Sequence, residues 1–302
     1  MANARQIVKR RKAVTNIRKI TKTMQLIATA RFQQAYNRAT ATKPYTQKIT
    51  QLVEELSQAS EGQVDHPLMR KNPDADKDIV LVLTSSRGLC GGYNANLLRT
   101  AMGHLNTHSE RNSEIHVVGK KGIAYFKFLR RPIERGITDI DDRPRFEQVE
   151  PIATEYMQRY EAGEIANVYV AYMKFISTGK QTPEVMHLLP LEKEESESEG
   201  NQAQKTDPLK SDKAGTTAEY DFSPEPAQLL KRLLPQTVKV RLYQCFTDAA
   251  VSEQVARMVA MKAATDAAGE MIKTLTRQYN RARQTQITME LLDIVGGAEA
   301  LA

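Results

Sequence analysis

A glycine-rich turn is the segment of this sequence that most invites a chemical interpretation. An apolar run at 78–85 is followed by Arg-Gly-Leu-Cys-Gly-Gly at 87–92 and then by a segment with helical spacing. The N–H groups at the start of a helix bind phosphate, so such a junction is a candidate phosphate cradle. The turn has neither the G-x-G-x-x-G pattern nor a G-K-S/T ending. A tight turn or a partner-contacting loop is the better interpretation, and we expect no nucleotide cofactor.

The thiols and imidazoles of the chain show no spacing that is typical of a metal centre or a redox pair. Cys90 and Cys245 lie far apart in the sequence and form no C-x-x-C motif. Free thiols in a reducing, cytosolic compartment are expected, with a disulfide as the alternative. The five histidines form no H-E-x-x-H motif and no ligand-spaced cluster: His66, His104, His108, His116 and His187. We expect no metal site and no catalytic residues.

The elements that position the turn form the middle of the chain, where strand-like and helix-like segments alternate. Strand patterns occur at 78–85, 115–119, 133–137, 167–176 and 185–189, and helical patterns occur at 94–107, 121–129 and 146–161. Strands that alternate with helices favour a small, mostly parallel, Rossmann-like α/β layer.

Both ends of the chain have the periodicity of long amphipathic helices. Residues 248–295 contain no Pro and one interior Gly, and such a helix would be about 70 Å long. Residues 4–57 form a second helical stretch, which Pro44 is predicted to kink or interrupt. Helices that extend beyond a domain bury their apolar faces against each other. The predicted fold class is therefore a long antiparallel coiled coil of the N- and C-terminal helices, with the α/β domain inserted between them.

The apolar seam of this coiled coil is predicted from residues three and four apart. On the first helix the seam residues are Ile7, Val14, Ile17, Ile20, Met24, Ile27, Ala30, Ala35, Ile49, Leu52 and Leu56. On the last helix they are Val251, Val255, Met258, Val259, Met261, Thr265, Ala268, Ile272, Leu275, Tyr279, Ala282, Gln286 and Met289.

The net charge of +7 is unevenly distributed along the chain. Residues 1–56 contain twelve Lys and Arg and two Glu, whereas residues 191–221 contain nine acidic residues and four Lys. The basic first helix indicates an anionic partner, which is nucleic acid, a membrane surface or an acidic protein, or else a solvated helix face. No run of about 18 apolar residues occurs, so neither a membrane span nor a secretion signal is expected.

The acidic stretch has the composition of a flexible insertion, because it contains too few apolar residues to offset the entropy of ordering. The predicted division of the chain is 1–60 for the N-terminal stalk helix, 76–191 for the α/β domain, 192–222 for the acidic insertion and 223–302 for the C-terminal stalk helix.

Four ordered groups of residues resemble the gamma subunit of the rotary proton-translocating ATP synthase, over nearly the whole chain. They are Ile-Thr-Lys-Thr-Met at 20–24, Arg-Gly-Leu-Cys-Gly-Gly at 87–92, Ser-Glu-Gln at 252–254 with Ala-Arg-Met-Val-Ala-Met-Lys-Ala-Ala-Thr-Asp at 256–266, and Tyr-Asn-Arg-Ala-Arg-Gln at 279–284 continuing to Ile-Val-Gly-Gly-Ala at 294–298.

The resemblance implies a mechanical function. In that family the paired terminal helices form a shaft inside a ring of alpha and beta subunits, and the α/β domain is its foot beside the membrane ring of c subunits and the epsilon subunit. Catalysis takes place on beta, so this chain is expected to be non-catalytic. The implied location is peripheral, on the cytoplasmic face of a bacterial inner membrane.

The resemblance also implies partner contacts at particular residues. Met24, Arg257, Gln284, Thr288 and Glu290 match positions near moving loops of the catalytic subunits, although Met24 is also a seam candidate. Cys90 and Arg87 match a loop that lies against an acidic hinge of beta; Ser86 replaces the Asp that is common there. A bearing surface is expected from small and apolar residues near both termini, including Ile7, Val14, Leu292, Ile294 and Ala298.

Two other classes of protein fit parts of the sequence. A basic coiled-coil protein that binds nucleic acid or anionic lipid would continue its positive charge along the last helix, but residues 236–302 have eight basic and seven acidic residues. A small α/β enzyme would have a phosphate fingerprint or a catalytic constellation.

Overall fold

The computed structural model describes residues 4–59, 66–108, 112–191 and 226–299. Two long helices, α1 (Ala4–Ala59) and α5 (Pro226–Glu299), enclose the other elements in sequence. The acidic insertion predicted at 192–222 lies outside the described residues, and the predicted division into four domains stays a prediction. Between the long helices are a 3₁₀ turn (Pro67–Met69), β1 (Lys77–Leu83), α2 (Tyr93–Thr107), β2 (Asn112–Val118), α3 (Lys120–Phe128), β3 (Arg135–Ile137), α4 (Phe146–Glu161), β4 (Asn167–Ser177) and β5 (Lys180–Leu189).

The sheet has the strand order β3-β2-β1-β4-β5. The first four strands are parallel, and β5 pairs with β4 in the antiparallel direction. The central position of β1 explains its uninterrupted apolar sequence, because a parallel strand that is covered on both faces has no solvated side. The predicted α/β layer is therefore confirmed.

Successive residues of β1 point into two separate cores. Ile79, Leu81 and Leu83 face α4 and the first half of α5, whereas Val80 and Val82 face α2 and α3. This alternation follows from the two-residue repeat of a strand. The first core continues along α5 as far as Ala249, so the sheet and the long helix share one apolar interior.

The terminal helices pair in antiparallel orientation, as predicted. The hydroxyl of Thr265 donates to that of Thr21 at 2.9 Å, and the guanidinium of Arg11 lies 5.3 Å from the ring centre of Tyr279. At the other end of the pair, Leu56 and Leu230 are buried in the same cluster. Helix α1 therefore pairs along its length with the part of α5 that ends at about Ala282.

The structure corrects several details of the predicted coiled coil. Helix α1 continues through Pro44 without interruption; the carbonyl that loses its partner belongs to Thr40, which is solvent-exposed. Ile7 and Val14 are buried against α5, so they form part of the seam rather than a bearing surface. A pair of helices buries only one stripe on each, and these predicted seam residues face outward instead: Ile17, Ile20, Ile27, Ala30 and Val259. Gln286 and Met289 are exposed for a different reason, because they lie beyond the end of α1.

Candidate functional site

The C-terminal end of α5 projects beyond its partner helix. Because Ile7 already packs with the cluster that includes Tyr279 and Ala282, only residues 4–6 of α1 extend past it, and they leave 283–298 exposed. We call this segment the tip. Its seventeen residues correspond to about 25 Å of single helix. Every side chain from 283 to 298 is exposed.

The tip has an unusual amount of exposed apolar surface for a single helix. Ile294 is 73% exposed and Leu292 is 59% exposed, so these two predicted bearing residues lie at the surface. A large exposed apolar area of this kind marks an interaction surface. Four other large apolar side chains of the tip are also exposed: Ile287, Met289, Leu291 and Val295.

Three of the predicted partner-contact residues lie on the tip. The hydroxyl of Thr288 donates to the carbonyl of Gln284 at 3.0 Å, and the amide of Gln286 donates to the carboxylate of Glu290 at 2.9 Å. These bonds are local to the helix. The amide of Gln284 and the remaining carboxylate oxygen of Glu290 are therefore available to a neighbouring molecule.

Met24 lies on α1 and is half-buried. The neighbouring residues Ile20, Leu26 and Ile27 are exposed. Ile20 and Ile27 lie on the same side of the helix as Met24 and give the stalk an apolar outer face beside it. The side chain thus borders both the seam and the outer face, and its predicted partner contact stays a prediction.

The glycine-rich turn forms a compact loop at 85–92, which we call the Cys90 loop. Cys90 itself is buried. The side-chain amide of Asn94 donates to the Cys90 thiol at 3.2 Å and to the Ser85 hydroxyl at 2.7 Å, and its oxygen accepts from the Ser85 N–H at 3.0 Å. Asn94 therefore fixes the loop from within the first turn of α2.

A buried arginine attaches the Cys90 loop to α5. The guanidinium of Arg257 donates to the carboxylate of Glu253 at 2.6 Å and to the backbone carbonyls of Arg87 and Gly88 at 3.3 and 3.4 Å. Burial raises the pKa of Glu253, and Arg257 opposes that shift. The predicted subunit contact of Arg257 is not tested by this arrangement, but within the chain its side chain serves an internal purpose.

The side chain of Arg87 is exposed, while its backbone is held in place. Its carbonyl accepts the Ser85 hydroxyl at 2.7 Å in addition to Arg257. A fixed backbone with an exposed cation suits recognition of an acidic surface. Of the two predicted contact residues in this loop, Arg87 is accessible and Cys90 is not.

A second polar connection was not predicted from the sequence. One carboxylate oxygen of Asp142, in the loop between β3 and α4, accepts hydrogen bonds from Arg31 of α1 and from Gln254 of α5, the latter at 3.1 Å. The three residues belong to three separate segments, and each is more than a hundred residues from the other two. No local motif links them, so only the three-dimensional structure reveals the bridge.

The buried titratable groups elsewhere have structural explanations. His116 and Tyr156 share a hydrogen bond of 2.8 Å inside the α/β domain. Burial lowers the pKa of His116 to about 4 and raises that of Tyr156. In the ranges that the structure describes, no group of His, Cys, Asp or Glu has metal-binding geometry. No helix within those ranges has the length and apolarity needed to cross a membrane.

Comparisons with known proteins agree with this geometry. A family model described as ATP synthase matches residues 3–301. The ATP synthase gamma chain of Rhodopirellula baltica is 46% identical over all of this chain and 99% of its own length, and that of Leptospira biflexa is 38% identical over the full length of both chains.

Solved structures show the same fold. A chain of the Euglena gracilis mitochondrial ATP synthase, in an assembly described as OSCP/F1/c-ring, aligns with a TM-score of 0.65 at 18% identity, covering 99% of this chain and 94% of that one. A second Euglena structure, described as the rotor, aligns with a TM-score of 0.61 at 17% identity, covering 94% and 98%. The full-length relatives, and not the basic coiled-coil or small-enzyme alternatives, account for the sequence. The chain belongs to the gamma-chain family of ATP synthases and is the central-stalk subunit, a peripheral and non-catalytic part of that complex.

Proposed function

We propose that the tip of α5 turns inside a ring of alpha and beta subunits while the α/β domain engages the epsilon subunit and the membrane ring of c subunits. Proton-driven rotation of the membrane ring is passed through the α/β domain to α5, and the turning tip drives the catalytic sites on beta. The complex lies on the cytoplasmic face of a bacterial inner membrane, with this chain peripheral to the membrane.

The observation that carries this proposal is the contrast along one helix. The first half of α5 is buried in the α/β domain, whereas its last seventeen residues have no covering partner among the described residues. A helix that is anchored at one end and bare at the other transmits torque from the anchored part to whatever surrounds the bare part. The bare part exposes six large apolar side chains, and no ion pair is formed by its described residues, which suits sliding contact.

The coupling contacts are assigned to residues that the family resemblance indicated and that the structure leaves exposed or half-buried. Gln284, Thr288 and Glu290 of the tip and Met24 of α1 contact moving loops of the catalytic subunits. The Cys90 loop contacts an acidic hinge of beta through Arg87. Arg257 supports that contact by holding the Arg87 backbone, and it reaches the partner only if this internal bonding is exchanged.

Single-molecule rotation tests the proposal. The chain is assembled with alpha and beta subunits that are fixed to a surface, and a bead is attached through a cysteine that replaces exposed Ala124 in α3 of the α/β domain. ATP is expected to drive rotation of the bead in one direction, and a chain that ends at residue 282 is expected to lose most of the torque. Assemblies that hydrolyse ATP at the full rate with a stationary bead would contradict the proposal.

A further inference from the structure

The tip of the Cys90 loop presents one apolar side chain to solvent. Leu89 is 59% exposed, and its φ of 63° lies in the left-handed region. Side chains other than those of Gly, Asn and Asp rarely adopt this conformation, because Cβ approaches the following carbonyl oxygen. In the described parts of the chain, Leu89 belongs to no buried apolar cluster. The leucine therefore accepts backbone strain without gaining internal packing.

The turn itself does not require a leucine at this position. Gly or Asn would allow the same backbone conformation with less strain, and either would leave the loop's internal hydrogen bonds intact. Backbone strain that brings no internal benefit is found at sites where a side chain acts on something else. The exposed side chain is therefore the feature of Leu89 that best accounts for the strain.

The position of Leu89 is fixed before any partner arrives. Arg257 bonds the carbonyls of the two preceding residues, and Asn94 bonds the thiol of the following residue. Gly91 also packs against Ala256 and Ala260 of α5, because a Cβ on this glycine would lie 3.7 Å from the Ala260 Cβ. A side chain that is already positioned loses little entropy on binding.

Cations border this apolar side chain. Arg87 is exposed two residues away, and the side chain of Lys121 lies over Gly88, with its Cε 3.5 Å from where a glycine Cβ would be. No ion pair joins either cation to a carboxylate within the described ranges. Asp142, in the depression beside Arg87, is already bonded to Arg31 and Gln254. An exposed leucine beside two cations that have no ion pair in the described ranges fits an apolar pocket that is bordered by carboxylates.

We infer that Leu89 is the apolar anchor through which the Cys90 loop binds an acidic segment of a neighbouring catalytic subunit. The inference rests on the proposed function, and it assigns the contact to Leu89 rather than to Cys90. Arg87 and Lys121 steer the acidic segment, and Leu89 enters a pocket between its carboxylates. Burial of the leucine side chain in the complex provides the part of the contact that salt does not screen.

Site-specific photo-crosslinking in the assembled complex tests this contact. A diazirine-bearing side chain is placed at Leu89, at Arg87 or at Phe128, which is 83% exposed at the other end of α3 and serves as the matched control. We expect the probes at Leu89 and Arg87 to label an acidic stretch of the catalytic subunit and the control probe not to label it. Labelling from Arg87 alone overturns the Leu89 inference and leaves the proposed function standing. Labelling from neither loop position overturns the loop contact itself.

Three substitutions at position 89 distinguish the effect of the leucine side chain from the effect of the backbone strain. Leu89→Asn keeps a branched side chain with the same number of heavy atoms, makes it polar and relieves the left-handed strain. Leu89→Gly removes the side chain, and Leu89→Met keeps an apolar group. We expect the Asn and Gly variants to unfold at or above the temperature of the parent chain, while ATP turnover of the assembled complex falls about tenfold at low and at high salt. The Met variant and a Phe128→Asn control should keep turnover within about twofold. Full turnover in the Asn variant would overturn the inference.

Discussion

The two ends of α5 invert the usual distribution of polar and apolar side chains. In the half that packs on the α/β domain, buried residues include Ser252, Glu253, Gln254 and Arg257, each of which is polar. At the tip the exposed residues include leucine, isoleucine and methionine. Buried polar groups and exposed apolar groups are both unfavourable in a helix that has no partner to contact them.

The difference shows which contacts the chain completes by itself. Most of these buried polar groups have partners inside the molecule: Ser252 donates to the Met173 carbonyl at 3.0 Å, and Arg257 bonds the Cys90 loop. The amide nitrogen of Gln254 donates to Asp142, while its side-chain oxygen has no partner among the described residues. The apolar groups of the tip have no such partners in the described part of the chain. Anchoring is thus an intramolecular property, whereas the proposed bearing surface would be completed by other subunits.

The largest expected effect comes from removing the side chain of Arg257, which attaches the Cys90 loop to α5. Arg257→Ala leaves the carboxylate of Glu253 buried without its counter-ion, and such losses cost about 4 kcal/mol of unfolding free energy. Urea unfolding of the isolated chain at pH 7 provides the measurement. The double variant Arg257→Met with Glu253→Leu is the control and should recover most of the loss.

The unfolding free energy of the Arg257→Ala variant should also depend on pH in a direction that Glu253 sets. Because burial raises the pKa of Glu253, the folded state binds its proton more tightly than the unfolded state does. Without Arg257, stability should therefore increase as pH is lowered through that raised pKa. A loss that is equally large at every pH would contradict the assignment to Glu253.

A matched pair of leucines compares the two ends of the helix directly. Leu234 is 1% exposed in the anchored half, and Leu292 is 59% exposed on the tip. Leu234→Ala should lower the unfolding free energy by about 3 kcal/mol, because it leaves a cavity, whereas Leu292→Ala should change it by less than about 0.5 kcal/mol. Activity of the assembled complex should fall for Leu292→Ala. Equal stability losses would mean that the tip is covered within the chain itself.

Lowering the pH is expected to reduce the unfolding free energy of the chain through His116, which is buried in the α/β domain. Its pKa is lowered from an ordinary 6.5 to about 4, so the unfolded state takes up the proton first as pH falls. This contribution is fully present above pH 6.5 and is lost progressively toward pH 4. Between pH 7 and pH 5 the loss is about 2 kcal/mol. Thermal unfolding of the parent and of His116→Gln should diverge over this interval, and parallel curves would refute the role of His116.

The smallest effect on folding is expected at Met24, on the outer face of the stalk. Because the residue is half-buried, Met24→Lys should change the unfolding free energy by no more than about 1 kcal/mol. In the complex, the new ammonium can pair with an acidic loop of a catalytic subunit and add a fixed contact to a sliding surface. ATP hydrolysis should largely persist while ATP-driven proton pumping declines. Loss of the chain from the complex would show that Met24 is a seam residue.

The fold was predictable because each element has a strong local signal. The apolar run of β1 indicated a buried parallel strand, and the long helical periodicities indicated a stalk. The boundaries of β5 were less accurate, with 185–189 predicted and Lys180–Leu189 observed. As an antiparallel edge strand that is mostly half-buried, β5 lacks the apolar run that identifies a central strand.

The details of the site were less predictable, because helical periodicity does not reveal what covers an apolar face. Ile7 and Ile20 have the same spacing signal, yet Ile7 faces α5 and Ile20 faces outward. Arg257 was predicted to contact another subunit, but its partners within the chain include the carbonyls of a loop about 170 residues away. Such pairings depend on the tertiary structure and leave no local pattern.

The antiparallel pairing of the first and last helices has a consequence for biosynthesis. Helix α1 leaves the ribosome before the α/β domain is made, and α5 is the last element to appear. At translation rates of roughly 5–20 residues per second, α1 waits on the order of ten seconds or more for its partner. During that time its apolar stripe is exposed, so the nascent chain offers a binding site to molecular chaperones. The stalk, which has to be the stiffest part of the finished subunit, is thus the last part of it able to fold.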